Sequence, residues 1–140
     1  MGKVMTKLTL ENAVDHENAL NGVIAVDQIR RVEVDALVDT GATMLALPAD
    51  IAAKLGVTTR DRRRAKLADG TSIEVGRVTG LRIEILGRDM TGDAWVLPVG
   101  ATPLIGQVQL ELLDLIVDAK SQEVRVRLAE GPVLDLLRAS

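Results

Sequence analysis

The residues that could do chemistry in this chain centre on an acidic side chain that directly follows an apolar stretch. Asp39 comes after Ala36-Leu37-Val38, and Thr40 and Gly41 follow it at once. A carboxyl group at the end of an apolar strand can be partly withdrawn from water, and such a group can take or give a proton. Glycine allows a tight turn and a close backbone approach. Asp-Thr-Gly is therefore the candidate catalytic segment, although a turn that ends a strand uses the same residue types.

The composition removes most other catalytic chemistries. The 140 residues contain no Cys and a single His, His16, so thiol nucleophiles, disulfides, Cys-ligated zinc and His-rich metal sites are excluded. His16 is predicted to be a solvated loop residue. Asp114 and Asp118 could share one helix face, but two carboxylates are too few for a metal site. We therefore expect no metal and no cofactor.

Charge and aromatic content argue against two classes of partner. The formal net charge is −3 and Trp95 is the one aromatic residue, so we expect no nucleic-acid partner. No apolar run approaches the ~20 residues of a membrane span, so we expect no membrane partner. A chain without Cys fits a cytoplasmic location. The Met1-Gly2 start matches a loose myristoylation pattern, which we interpret as incidental.

Hydrophobic alternation with a period of two predicts a mostly β chain. Two short helices interrupt it, at 48–55 and 107–113. The first is indicated by Pro48 at its start, by Ile51 and Leu55 four residues apart, and by Gly56 as a stop. The predicted strands are 4–11, 32–38, 81–86, 95–99, 115–117 and 124–128.

The remaining segments are predicted to be loops or turns. Residues 15–22 are polar, and 60–66 are basic and are predicted to form a solvated loop. Residues 66–78 are predicted to form a hairpin around a two-residue Asp69-Gly70 turn, in which both central positions need positive φ. No linker or repeat stands out. We therefore predict one domain over 1–140, with its core at roughly 23–128 and an amphipathic tail at 132–137.

A second glycine-ended apolar motif, Pro103-Leu104-Ile105-Gly106, precedes the second predicted helix. The ordered set of Asp39-Thr40-Gly41-Ala42, the 47–56 stretch, Ala68-Asp69-Gly70-Thr71 and Leu104-Ile105-Gly106 resembles the retropepsin-like aspartic proteases, most of all their small prokaryotic single-domain members. The resemblance covers roughly residues 32–120. It implies a closed β-barrel with one or two short helices and a flap hairpin.

The resemblance also implies roles for individual residues. Asp39 corresponds to the catalytic aspartate, Thr40 to the residue whose hydroxyl cross-links two active-site loops, and Gly41 with Ala42 to the floor of the cleft. Three residues, Ala68, Asp69 and Gly70, would lie at the flap tip and contact substrate. Ile105 would pack behind the catalytic loop and border the substrate site. Many retroviral members have Arg after the second glycine, whereas this chain has Gln107, which cannot form the bracing ion pair.

Aspartic-protease chemistry needs two carboxyl groups that share one proton. This chain has one Asp-Thr-Gly and about half the length that two lobes would need. A two-fold axis would place Asp39 opposite its own copy, so the protease hypothesis requires a homodimer.

The sequence leaves alternatives open. The leading hypothesis is a homodimeric aspartic endopeptidase that acts on peptide or protein substrates. The alternative is a non-catalytic retropepsin-like module for dimerisation or peptide binding, although a binder has no need of the Asp39 carboxyl. A third possibility is a small β-barrel of another role. The shortage of aromatic residues predicts pockets lined by Val, Leu, Ile and Ala, and hence a preference for apolar substrate side chains.

Overall fold

A computed structural model describes residues 3–129, so the Met1-Gly2 pattern and the predicted tail at 132–137 lie outside the described residues. The described chain folds into nine strands and three α-helices. The strands are β1 (Met5–Asn12), β2 (Arg31–Val38), β3 (Ala46–Pro48), β4 (Thr59–Lys66), β5 (Ser72–Ile85), β6 (Arg88–Leu97), β7 (Leu104–Ile105), β8 (Leu115–Asp118) and β9 (Glu123–Val126). The helices are α1 (Ala13–Leu20), α2 (Ala49–Leu55) and α3 (Gln107–Leu112).

Six strands close into a barrel in the order β1-β2-β7-β3-β6-β5, because β5 also pairs with β1. β1 is antiparallel to both neighbours, so Leu10 lies opposite Val32 on one side and Ile83 on the other. β8 and β9 form a separate two-stranded sheet. The predicted mostly β, retropepsin-like closed barrel is confirmed, with three short α-helices in place of the one or two expected.

The core fills the barrel and continues under α2 and α3. Alternate residues of β1 and β5 point inward, since successive side chains of a strand face opposite sides. Leu8, Leu10, Leu81, Ile83 and Ile85 consequently have at most 1% of their surface exposed. The buried core thus includes β1.

The predicted loop at 15–22 is wrong over most of its length, because α1 occupies Ala13–Leu20. Asn12 caps this helix: its Oδ1 accepts the Asp15 N–H at 3.0 Å and its Nδ2 donates to the Leu55 carbonyl at 2.9 Å. The Asp15 carboxylate accepts two hydrogen bonds from the Arg30 guanidinium, at 2.8 and 3.1 Å. The polar residues of this segment therefore cap and stabilise the start of a helix. Polar composition alone does not distinguish such a start from a loop.

The predicted solvated loop at 60–66 is also wrong, because these residues form β4, the last strand at the edge of the sheet. Its charged side chains suit an edge, where they discourage pairing with another chain. Arg63 lies opposite Val75 and Lys66 opposite Ser72. Among residues 3–129, no helix is long and apolar enough to cross a membrane.

Candidate active site

Asp39 lies where β2 leaves the barrel beside β7. These two strands are parallel, with Leu37 opposite Leu104 and Val38 opposite Ile105. The Asp39 N–H continues this ladder by donating to the Ile105 carbonyl at 3.0 Å. The backbone of the aspartate is therefore fixed by a buried strand while its side chain emerges at the strand end.

The residues after Asp39 form a tight loop that orients its carboxyl group. The Gly41 N–H donates to Asp39 Oδ1 at 2.9 Å, and the Ala42 N–H donates to the Asp39 carbonyl at 3.0 Å. A Cβ on residue 41 would lie 3.2 Å from that same Oδ1, so glycine leaves the carboxyl room. Asp39 is half-buried, whereas Thr40 and Gly41 are exposed. The loop presents a positioned carboxyl group at the surface.

The start of α3 holds the other end of this loop. The N–H groups of Gln107 and Val108 donate to the carbonyls of Ala42 and Thr43 at 2.8 and 3.0 Å. Gly106 permits this contact, because a Cβ there would lie 2.6 Å from the Thr43 carbonyl carbon. Its φ of −97° is open to any residue, so the requirement is for space. The two glycine motifs of the sequence are thus in direct contact.

Gln109 is part of this arrangement and was missed from the sequence. Its side chain is 1% exposed, and its Oε1 accepts the Gly106 N–H at 3.2 Å. A Gln at the third position of a helix commonly reaches back to the residue before the helix. That spacing could have indicated its role. The Gln107 side chain, by contrast, lies at the surface and donates to Glu111 at 3.0 Å.

An open cavity of about 450 Å³ adjoins the loop that follows Asp39. Ala42 and Thr43 line it on the loop side, and β4 lines it on the opposite side. Trp95 contributes to its wall, in agreement with the predicted place of this residue in the core or cleft wall. The other lining residues are Met44, Ala46, Arg63, Arg64, Ala65, Lys66, Val75, Leu97 and Leu104.

The hairpin of β4 and β5 ends in an exposed tip beyond the cavity. Gly70 donates its N–H to the Leu67 carbonyl at 3.0 Å, and Leu67 donates to the Thr71 carbonyl at 2.7 Å. Only Gly70 has positive φ at this tip, at 88°, so the predicted two-residue turn is wrong and the connection is a three-residue loop. The Thr71 hydroxyl and N–H donate to Asp69, and the hydroxyl bond above all lowers the pKa of that carboxyl.

The structure brings some of the predicted site residues together. Asp39, Thr40, Gly41 and Ala42 form one loop, and the Ile105 carbonyl supports it. The Ile105 side chain is fully buried, in line with packing behind the loop, but it does not line the cavity. The tip residues Ala68, Asp69 and Gly70 are exposed and do not line the cavity. Their contact with substrate stays a prediction.

The remaining candidates, His16, Asp114 and Asp118, contact charged residues outside the Asp39 loop. His16 lies on α1, with Nδ1 2.9 Å from Glu11 Oε1, so its predicted loop position is wrong. Asp114 and Asp118 share no helix, because Asp114 follows α3 with φ of 55° and Asp118 ends β8. Arg127 approaches Asp114 at 2.6 Å. Within residues 3–129, no cluster of three or more His, Cys, Asp or Glu could hold a metal ion.

The exposed hairpin tip predicts a measurable mobility. We expect backbone amides at 68–70 to exchange with solvent faster than those of 32–38, because the tip is exposed whereas β2 is hydrogen-bonded to β1. A bound peptide-like inhibitor should slow exchange at the tip. Hydrogen exchange followed by mass spectrometry tests this, and equal protection of the two segments without ligand would argue against a flap.

Comparison with known proteins agrees with this geometry. Residues 27–112 match the family model described as "gag-polyprotein putative aspartyl protease". No curated protein matches the chain. The matched region contains the Asp39 loop, the hairpin, the cavity wall and all of α3. The chain belongs to this family of retropepsin-like aspartyl proteases.

Proposed function

We propose that this protein is an aspartic endopeptidase whose catalytic pair consists of Asp39 and the same residue of a second copy. The observation that carries the proposal is the Asp39 loop. Its carboxyl is fixed by the Gly41 N–H at 2.9 Å, remains half-exposed, and lies beside a cavity of about 450 Å³. A carboxyl group held in this way suits proton transfer to and from a bound substrate.

The chemistry follows from two carboxyl groups that share one proton. The ionised group takes a proton from a bound water, and this water attacks the carbonyl carbon of the scissile peptide bond. The protonated group donates a hydrogen bond to the carbonyl oxygen, which develops negative charge as the tetrahedral intermediate forms. Proton transfer to the departing nitrogen then breaks the C–N bond.

One chain supplies only half of this pair. Thr40 is exposed next to Asp39, where its hydroxyl could bond to the loop of the partner copy. A two-fold axis that passes near Asp39 would bring both carboxyl groups and both cavities together. The substrate chain would lie across the two cavities, with one flap hairpin over each half.

Mass and inhibition together test this proposal. Sedimentation at micromolar concentration should give about 30 kDa, twice the 15.0 kDa chain mass, as expected for a symmetric pair. Cleavage of an unstructured protein substrate should be blocked by a pepstatin-like inhibitor and should withstand a metal chelator. A monomer that cleaves the substrate, or loss of cleavage with the chelator alone, would contradict the proposal. A dimer that binds peptides without cleaving them would favour the binding module.

A further inference from the structure

The side of the cavity that β4 supplies is basic. Twelve residues line the cavity, and the charged ones among them are Arg63, Arg64 and Lys66, with no Asp or Glu. Most of the others are apolar, including Val75 and Trp95. A cavity with apolar walls and cations on one side differs from the purely apolar pocket that the composition predicted.

The strand register places Arg63 on the face of β4 that borders the cavity. Arg63 lies opposite Val75, and both Val75 and Trp95 line the cavity. Arg62, the residue before it, does not line the cavity. The Arg62 guanidinium is 3.7 Å from Glu74, at the outer surface of the hairpin.

The charged side chains near Arg63 form ion pairs with one another. Arg77 contacts Asp61 at 3.0 Å and Asp93 at 2.7 Å. The hydrogen bond from Arg77 lowers the pKa of Asp61 below its ordinary 3.8, so that carboxylate remains ionised and paired in mild acid. Arg63 is exposed and forms no salt bridge with residues 3–129. It is therefore a cation available to a ligand.

We propose that this cavity receives an acidic side chain of the substrate, Glu or Asp, whose carboxylate is bound by Arg63. The methylene groups of a Glu would lie against Val75 and Trp95, and the carboxylate would accept a charge-assisted bond from the guanidinium. This inference rests on the proposed peptidase function and names its substrate class. It replaces the expected preference for apolar side chains at this subsite.

Binding of a substrate carboxylate by Arg63 would make the preference for Glu over Gln depend on pH. A guanidinium group does not titrate in this pH range, whereas a Glu side chain has an ordinary pKa of ~4.3. Preference for Glu over Gln should therefore be present above about pH 5 and fade below about pH 4, as the substrate carboxyl is protonated. A preference based on shape alone would not follow this titration.

The experiment compares peptides that differ only by Glu or Gln at one position, found first with a peptide library. At about pH 6 we expect kcat/KM to favour Glu about tenfold, the scale of one charge-assisted hydrogen bond. Arg63→Gln should remove the preference, and Arg63→Glu should favour a Lys peptide. Arg62→Gln is the matched control, because it removes a neighbouring charge on the outer face and should keep the preference.

Measuring peptide binding distinguishes a failure of this inference from a failure of the proposed peptidase function. The Kd values of the same Glu and Gln peptides are measured on Asp39→Asn, which should not cleave them. A preference for Glu that Arg63→Gln abolishes supports the inference, even where the parent cleaves no peptide and the peptidase function fails. Equal Kd and kcat/KM values for the two peptides, or a preference that Arg63→Gln leaves intact, would overturn the inference and leave the peptidase function standing.

Discussion

Asp39→Asn is expected to lower peptidase activity by at least ~10²–10⁴-fold, the usual value of general acid–base assistance. An amide can neither take a proton from water nor share one with a second carboxyl group. In a homodimer the substitution changes both halves of the pair at once. The measurement is kcat/KM on a fluorogenic peptide, and retention of full activity would contradict the aspartic mechanism.

The fold should survive this change. The side-chain oxygen of the introduced amide can still accept the Gly41 N–H that Asp39 accepts at 2.9 Å. Two carboxyl groups close together repel when both are ionised, so we expect a thermal midpoint equal to or above that of the parent. Asp35→Asn is the matched control: it removes an exposed carboxylate from β2, four residues earlier, and should leave activity unchanged.

Gly106→Ala should have the second largest effect. A Cβ at this position would lie 2.6 Å from both the Met44 nitrogen and the Thr43 carbonyl carbon, and these backbone atoms can yield only if the Asp39 loop moves. Overpacking of this kind usually costs ~1–3 kcal/mol of stability. A shift of the reacting group by about 1 Å can cost ~10²-fold in rate. We therefore expect both the thermal midpoint and kcat/KM to fall.

Gly92→Ala provides the control for this substitution. Its Cβ would meet the end of the flexible Met90 side chain at 3.3 Å and no backbone atom within 4 Å. This variant should keep its activity and lie within about 1 kcal/mol of the parent, since a strand interior tolerates Ala better than Gly. If Gly106→Ala kept its activity and stability as Gly92→Ala is expected to, the contact between α3 and the Asp39 loop would not position Asp39.

Most of the barrel could be predicted because its strands alternate apolar and polar residues with a period of two. β2 alternates Val32, Val34 and Ala36 with the charged residues Arg31, Glu33 and Asp35, and the end of α2 is marked by Gly56, which has φ of 65°. α1 and β4 could not be predicted, because half of the residues of α1 and all but Ala65 in β4 are polar. Their structure depends on partners distant in sequence, such as the Arg30 that binds Asp15 at 2.8 Å.

The candidate site likewise contains residues that the sequence could predict and residues that it could not. Asp39 and Gly106 belong to short motifs, so their proposed roles could be inferred from residue types. That Arg63 borders the cavity follows only from the register of β4 against β5, in which it lies opposite Val75. A basic run without alternation gives no indication of which side chain faces a cleft. The proposed specificity residue therefore needed the structure, whereas the proposed catalytic residue did not.

Mixing the parent with Asp39→Asn tests the central claim, a catalytic pair drawn from two chains, most directly. The two proteins are combined at constant total concentration, subunit exchange is verified with a tag, and cleavage of one peptide is followed. If each active unit needs two Asp39 residues, random pairing at equal amounts leaves about a quarter of the parent activity. Activity that stays at about half, in direct proportion to the parent chain, would show that one chain acts alone and would contradict the account.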